Sequence, residues 1–287
     1  MYDVFCYGAI SLDVSGRLER PLKLYEHATA IDYGLSVGGD SALVAMALAV
    51  LGLDVAIAGS PVGDDPMGEY LLKAVSKEGV KTMMPVEGKT AITAIVLDGD
   101  KRSTITFHED TPENKIPIPL DAIRQSRYVY VDGCFAKNSA VIGKAALDIG
   151  VPVILNLDRP AIPHMGLFDV VIAGEDVSKV ISPEPIEAAR KMHEMNKGIA
   201  IVTLGEKGCV CCDGNLIAIP AYKIEACDTT GAGAAFAAAF IYSRLKEEKL
   251  DRSIAFASAA GAYKALHKGS FIKFTEKDIY NLIKRYE

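Results

Sequence analysis

Apolar and polar positions follow one another in blocks whose period switches between two residues and three to four. Residues 2–9 form an apolar, β-rich run ending near Gly8, which predicts a buried first strand. Stretches 15–35 and 90–107 alternate polar with apolar side chains. The second carries Asp98-Gly99-Asp100, a hairpin turn signal, and the two predict a small sheet outside the main core. Residues 40–51 (DSALVAMALAVL) are apolar almost all round, which predicts a buried helix capped by Asp40 or Ser41 and stopped by Gly52. Short apolar strands then fall at 55–58, 128–131, 153–157, 170–173 and 200–203. Helical periods fall at 68–78, 139–149 and 185–196, and again at 232–247, 253–266 and 275–286. This rhythm predicts an α/β fold, a mainly parallel sheet with helices on both faces, and a small β-lid from about 14–36 and 90–108. With no repeat or long linker, 1–287 reads as a single domain.

Composition narrows the function. Of 287 residues half are hydrophobic, and 31 Lys and Arg face 37 Asp and Glu for a net charge of −6. That balance argues against a nucleic-acid partner. The start, MYDVFCYGAISLDVSG, lacks a basic segment followed by an apolar one, so no secretory leader is expected. No apolar run of about 18 residues predicts a membrane span. The six cysteines therefore read as reduced cytoplasmic thiols. Cys209, Cys211 and Cys212 lack paired CxxC spacing, and alternation within one strand accounts for them.

Three glycine motifs carry candidate chemistry. Asp228-Thr-Thr-Gly-Ala-Gly233 leads into a long Ala-rich helix. Small residues there let backbone N–H groups converge on an anion, aided by the helix dipole. A dinucleotide fingerprint GxGxxG would need glycine where Phe236 stands, which argues against an oxidoreductase. Gly38-Gly39-Asp40 precedes the first buried helix and permits close ligand approach. Thr203-Leu-Gly205-Glu-Lys-Gly208 follows a strand, where open α/β sheets bind ligands.

In this order, and with Gly8, Asp13, Leu51-Gly52 and Val62-Gly63-Asp64-Asp65-x-x-Gly68, the chain resembles the ribokinase-like (PfkB) carbohydrate kinases over nearly its whole length. The resemblance implies a doubly wound α/β fold with a β-lid, and ATP-dependent phosphorylation of a hydroxymethyl group on a sugar, polyol or nucleoside. It implies that Gly231, Ala232 and Gly233 supply backbone donors to the transferring group, and that Asp13, Gly38, Gly39 and Asp40 line the acceptor site. Thr203, Gly205, Gly208 and Ser258 would lie along ATP, with Glu175 serving Mg²⁺ and phosphate. Asp158 or Arg159 would face the phosphates, and Asp228 and Thr230 would contribute to a K⁺ site. A cytoplasmic homodimer joined through the lid is expected.

Two departures stand out. The family's catalytic aspartate lies six residues after the first Asp of the signature, a position held here by Ala234. Alanine cannot accept the hydroxyl proton, so the chain is expected to bind ligands and barely turn over. A deliberate Asp→Ala replacement and a natural pseudokinase with a regulatory, ligand-binding role both account for it. The second departure is Leu43, where many members carry an Asn that contacts sugar hydroxyls. It points to an acceptor with a different hydroxyl pattern or an apolar part.

Overall fold

The structure is a computed structural model describing residues 1–20, 25–98, 101–158 and 164–286. In chain order the elements are β1 (Tyr2–Gly8), β2 (Ser11–Leu18), β3 (Ala30–Gly38), α1 (Asp40–Val50), β4 (Val55–Gly59), α2 (Pro66–Lys77), β5 (Lys81–Thr82), β6 (Ile92–Asp98), β7 (Lys101–Phe107) and α3 (Leu120–Arg124). They continue as β8 (Ser126–Asp132), α4 (Ala136–Leu147), β9 (Val153–Leu157), β10 (Val170–Gly174), α5 (Glu175–Ser178), α6 (Pro185–Asn196), β11 (Ile199–Thr203), β12 (Cys209–Cys212), β13 (Leu216–Ile219), α7 (Ala232–Leu245), α8 (Leu250–Ala265) and α9 (Glu276–Tyr286).

Among the described residues the main sheet has the order β13-β12-β11-β10-β9-β8-β1-β4-β5. Its pairs are parallel except β11–β12 and β12–β13. Strands alternate their side chains between two cores. Val4, Cys6 and Tyr130 face the layer of α1, α7 and α8, while Phe5, Tyr7, Val129 and Val131 face that of α3, α4 and α6. Such double burial explains why these strands read as continuous apolar runs. The chain leaves β1 toward β4 on one side and later resumes at β8 on the other. The crevice at the carboxyl ends of β1 and β8 is therefore the switch point where open sheets bind ligands.

The second sheet, β3-β2-β6-β7, is the expected lid. β6 and β7 pair antiparallel with Asp98 opposite Lys101; Gly99 and Asp100 of the expected turn lie outside the described residues. The lid's two faces differ sharply. Asp13, Thr93, Ile95, Thr104 and Thr106 look into a cavity. Val14, Tyr33, Leu35, Ile105 and Phe107 occupy the opposite face and are exposed, Tyr33 at 82% and Phe107 at 59%.

Several boundaries move from expectation for local reasons. Neither Asp40 nor Ser41 caps α1: the cap position is Gly39 at φ 90°, without a side-chain cap bond. Instead the Asp40 carboxylate accepts from Asn156 Nδ2 at 3.0 Å, and the Ser41 hydroxyl donates to the Tyr7 carbonyl at 3.0 Å. Helix α2 starts two residues early, because Asp65 caps it by accepting from the N–H groups of Met67 and Gly68, with Pro66 as first helical residue. Helix α4 runs from Ala136 rather than 139. Short β5, α3 and β13 carry too little periodicity to predict. No described helix is long and apolar enough to cross a membrane.

Candidate active site

The site grows out of close backbone approaches. A Cβ on Gly8 would fall 1.9 Å from Asp132 Oδ2, and one on Gly38 would fall 1.9 Å from Asp13 Oδ1. The two glycines thus let the acids that close β8 and lie on β2 sit against the strand ends. Gly39 combines φ 90° with a Cβ position 2.3 Å from the Ala9 carbonyl, so only glycine fits the entry to α1. Asp132 is almost fully buried. Its carboxylate accepts from the Ala9 N–H at 2.9 Å, the Cys134 N–H at 3.3 Å and the Cys134 thiol at 2.5 Å. Asp13 accepts from the Ser11 hydroxyl at 3.0 Å.

These groups open onto a cavity of about 930 Å³ beneath the lid. It brings together Asp13, Gly39, Asp40 and Leu43 from the first half of the chain with Asp132, Asp158, Thr230, Gly231, Gly233 and Ala234. Gly231 caps α7 at φ 79°, and Ala234 stands in that helix's first turn, 5% exposed. The start of a helix, with Ala234 in its first turn, therefore lines the same cavity as the carboxylates of Asp13, Asp40, Asp132 and Asp158. Acids of this kind accept hydrogen bonds from hydroxyl groups; the helix start stabilises negative charge. The Tyr130 hydroxyl is fully buried and finds no hydrogen-bond partner among the described residues. Burial first, then the charges of Asp40 and Asp132, raise its pKa well above the usual tyrosine value.

A second cavity of about 480 Å³ lies at the ends of β10 and β11, lined by Gly174, Glu175, Thr203, Gly205 and Lys207. Glu175 is ion-paired with Lys207 at 3.2 Å and Lys179 at 3.7 Å. Thr203 donates to the Ala173 carbonyl at 3.4 Å. Gly208 lies outside this lining: it is buried at φ 100°, where a Cβ would meet the Ile219 carbonyl at 2.0 Å. Ser258 sits half-buried on α8 and lines neither cavity. Arg159 lies outside the described residues. Asp228 accepts from the N–H groups of Thr230 and Gly269, each at 2.9 Å. Burial pushes its carboxyl up, but those bonds and Lys264 outweigh it and hold the pKa below the ordinary value.

Sequence reasoning missed Asp132, Cys134 and the threonines of the inner lid face. For Asp132 the signal was present, an acid closing the buried run Tyr128–Val131 beside the switch point. Among the described residues no cluster of His, Cys, Asp and Glu has the form of a metal site, and the cysteines of β12 are free and buried.

An open, doubly wound α/β layer with a β-lid over its switch point defines the class. The chain belongs to the pfkB family of carbohydrate kinases, whose sequence profile matches residues 1–277. An ATP-dependent ribose-1-phosphate kinase from Halopiger xanaduensis is 28% identical over 281 residues, covering 94% of each chain. A ribokinase from Haemophilus influenzae is 26% identical over 85% of this chain and 86% of its own. A nucleoside kinase from Methanothermobacter thermautotrophicus is 26% identical over 79% and 77%. Among solved structures, an Arabidopsis thaliana ribokinase complexed with ribose and ATP superposes with a TM-score of 0.84 at 24% identity, covering 99% of both chains. A Thermotoga maritima ribokinase gives 0.84 at 20% identity over 99% and 100%.

Proposed function

We propose that this chain is an ATP-dependent phosphotransferase framework acting on a hydroxymethyl group of a sugar, polyol or nucleoside, and that with Ala234 it binds its ligands but scarcely turns over. One observation carries the reading. The first turn of α7, with Gly231, Gly233 and Ala234, opens into the same cavity as Asp13, Gly39 and Asp40. An acceptor hydroxyl held by the carboxylates would lie next to the backbone donors that stabilise charge on the transferring group. Leu43 adds an apolar surface to that acceptor wall. The nucleotide, entering as its Mg²⁺ complex, would extend toward Thr203, Gly205 and Glu175 at the neighbouring strand ends. The residue six places after Asp228 would take the hydroxyl proton, and alanine offers no base there.

The exposed apolar outer face of the lid supports a homodimer joined lid to lid. Free cysteines suit a reducing, cytoplasmic setting.

Thermal unfolding with MgATP, with NAD and with a panel of polyols, pentoses and nucleosides tests the binding claim. A specific ligand stabilises by RT ln(1 + [L]/Kd), so MgATP and one acceptor class should each raise the melting temperature. Stabilisation by NAD and not by MgATP would overturn the reading.

A further inference from the structure

The family resemblance implies that Asp228 and Thr230 contribute to a monovalent cation site, yet the fold puts a cation of its own beside Asp228. Lys264, on the last turn of α8, is 1% exposed. Its Nζ donates to the Asp228 carbonyl at 2.9 Å and the His267 carbonyl at 3.1 Å. Both oxygens of the Asp228 carboxylate already accept backbone N–H groups, from Thr230 and Gly269. The surroundings thus do not form an open ring of oxygens awaiting an ion: two carbonyls are turned onto an ammonium, with one carboxylate as its counter-charge. Burial lowers the Lys264 pKa, and the charge of Asp228 works against that fall.

The position of this ammonium matters. Asp228 opens the loop that ends at Gly231, the cap of α7. A Cβ on Gly231 would lie 1.9 Å from the Ser270 carbonyl, so the loop after α8 presses directly on the cradle. Ser270 in turn donates to the Val37 carbonyl at 2.7 Å, and Lys268 pairs with Asp32 at 3.2 Å, both on β3 of the lid. Lys264 therefore ties together the start of the cradle loop and the turn that supports it.

We infer that the Lys264 ammonium does the work of a bound monovalent cation beneath the cradle, so that this chain needs no K⁺. Lys264 is a positioning residue; it acts on the N–H groups of α7 through Asp228 and His267. The inference deepens the phosphoryl-transfer reading, but its first readout needs no nucleotide.

The test compares melting temperatures in K⁺, NH₄⁺ and tetramethylammonium chloride at equal ionic strength. The unsubstituted chain should melt alike in all three. Lys264→Ala leaves carbonyls and a carboxylate around a hole, which should lower the melting temperature by roughly 5–10 °C in tetramethylammonium. K⁺ and NH₄⁺ should restore part of that loss. Lys264→Met, which fills the hole with apolar atoms, should show no such restoration. Should the alanine form not fold, MgATP affinity of the unsubstituted chain decides, and it should be the same in K⁺ and tetramethylammonium. Preferential stabilisation or tighter MgATP binding of the unsubstituted chain in K⁺ would overturn the inference, as would a folded Lys264→Ala form indifferent to the cation. A chain that binds no MgATP at all would sink the proposed function, while the nucleotide-free melts would still decide the role of Lys264.

Discussion

Ala234→Asp is the most informative single change. Ala234 is the third residue of α7, after the cap Gly231, and no acid occupies that first turn. A carboxylate there gains about 0.3–1 kcal/mol from the helix dipole. The site is 5% exposed but opens on the cavity, so the new side chain has room to point inward. Partial burial would raise its pKa and the dipole would lower it, leaving a base ionised at neutral pH. General-base assistance is typically worth about 10²–10⁴ in rate, or roughly 3–5 kcal/mol of barrier. The assay is ADP release from MgATP across the acceptor panel, with melting temperature as a fold control. A rate at least about 10²-fold above the alanine form, on an acceptor that also stabilises the alanine form, is the expected outcome. A well-folded variant that binds MgATP but shows no gain would refute the claim that residue 234 limits the chain, and would favour a regulatory, ligand-binding role.

Further outcomes follow from local geometry. Gly52 and Gly231 both sit at positive φ, 90° and 79°, but a Cβ meets nothing within 4 Å at Gly52 and a carbonyl at 1.9 Å at Gly231. Gly52→Ala should cost about 1 kcal/mol and Gly231→Ala clearly more, up to roughly 3 kcal/mol, by chemical denaturation; equal losses would show that backbone strain alone matters. Asp65 binds the backbone and hydroxyl of Thr90, at the root of the lid, as well as capping α2, and Thr90 is the largest cause of its depressed pKa. A depressed carboxyl contributes stability above its unfolded pKa and loses it as pH falls through the folded value. The melting gap between the unsubstituted chain and Asp65→Asn should therefore be widest near neutral pH and close below about pH 4. A gap constant with pH would contradict the charge argument. If the proposed lid-to-lid dimer forms, Tyr33→Asp with Phe107→Asp, on the exposed lid face, should lower the sedimentation coefficient to that of a monomer; a coefficient unchanged by the substitutions would remove the lid as the interface.

The sequence was most readable where burial is complete. β1, β9 and α6 fall within a residue of their expected bounds, because double burial leaves long apolar runs and Pro185 marks a helix start. The lid was legible from its alternation, since one face meets a cavity and the other does not. Asp40 was misread because local capping rules could not see Asn156, 116 residues away, which takes its carboxylate. The partners of Asp132 and Lys264 were hidden for the same reason, although the position of Asp132 at the end of a buried strand was a usable signal. Each looks ordinary in sequence, one as a strand-ending acid and the other as a helix-ending lysine. Their roles come from partners that only the fold brings near, the Ala9 N–H for one and the Asp228 carbonyl for the other.

The lid's two faces are written into the same strands, one residue apart. Thr104 and Thr106 look toward the cavity, while Ile105 and Phe107, their immediate neighbours, look outward. Because the side-chain period of a strand is two, a slip of one residue in β7 would exchange these sets at a stroke. Isoleucine and phenylalanine would then meet the ligand, and threonines would cover the outer surface. An insertion of a single residue within paired strand β7 that slips its register would thus alter recognition and surface chemistry together, whereas a slip of two would preserve both.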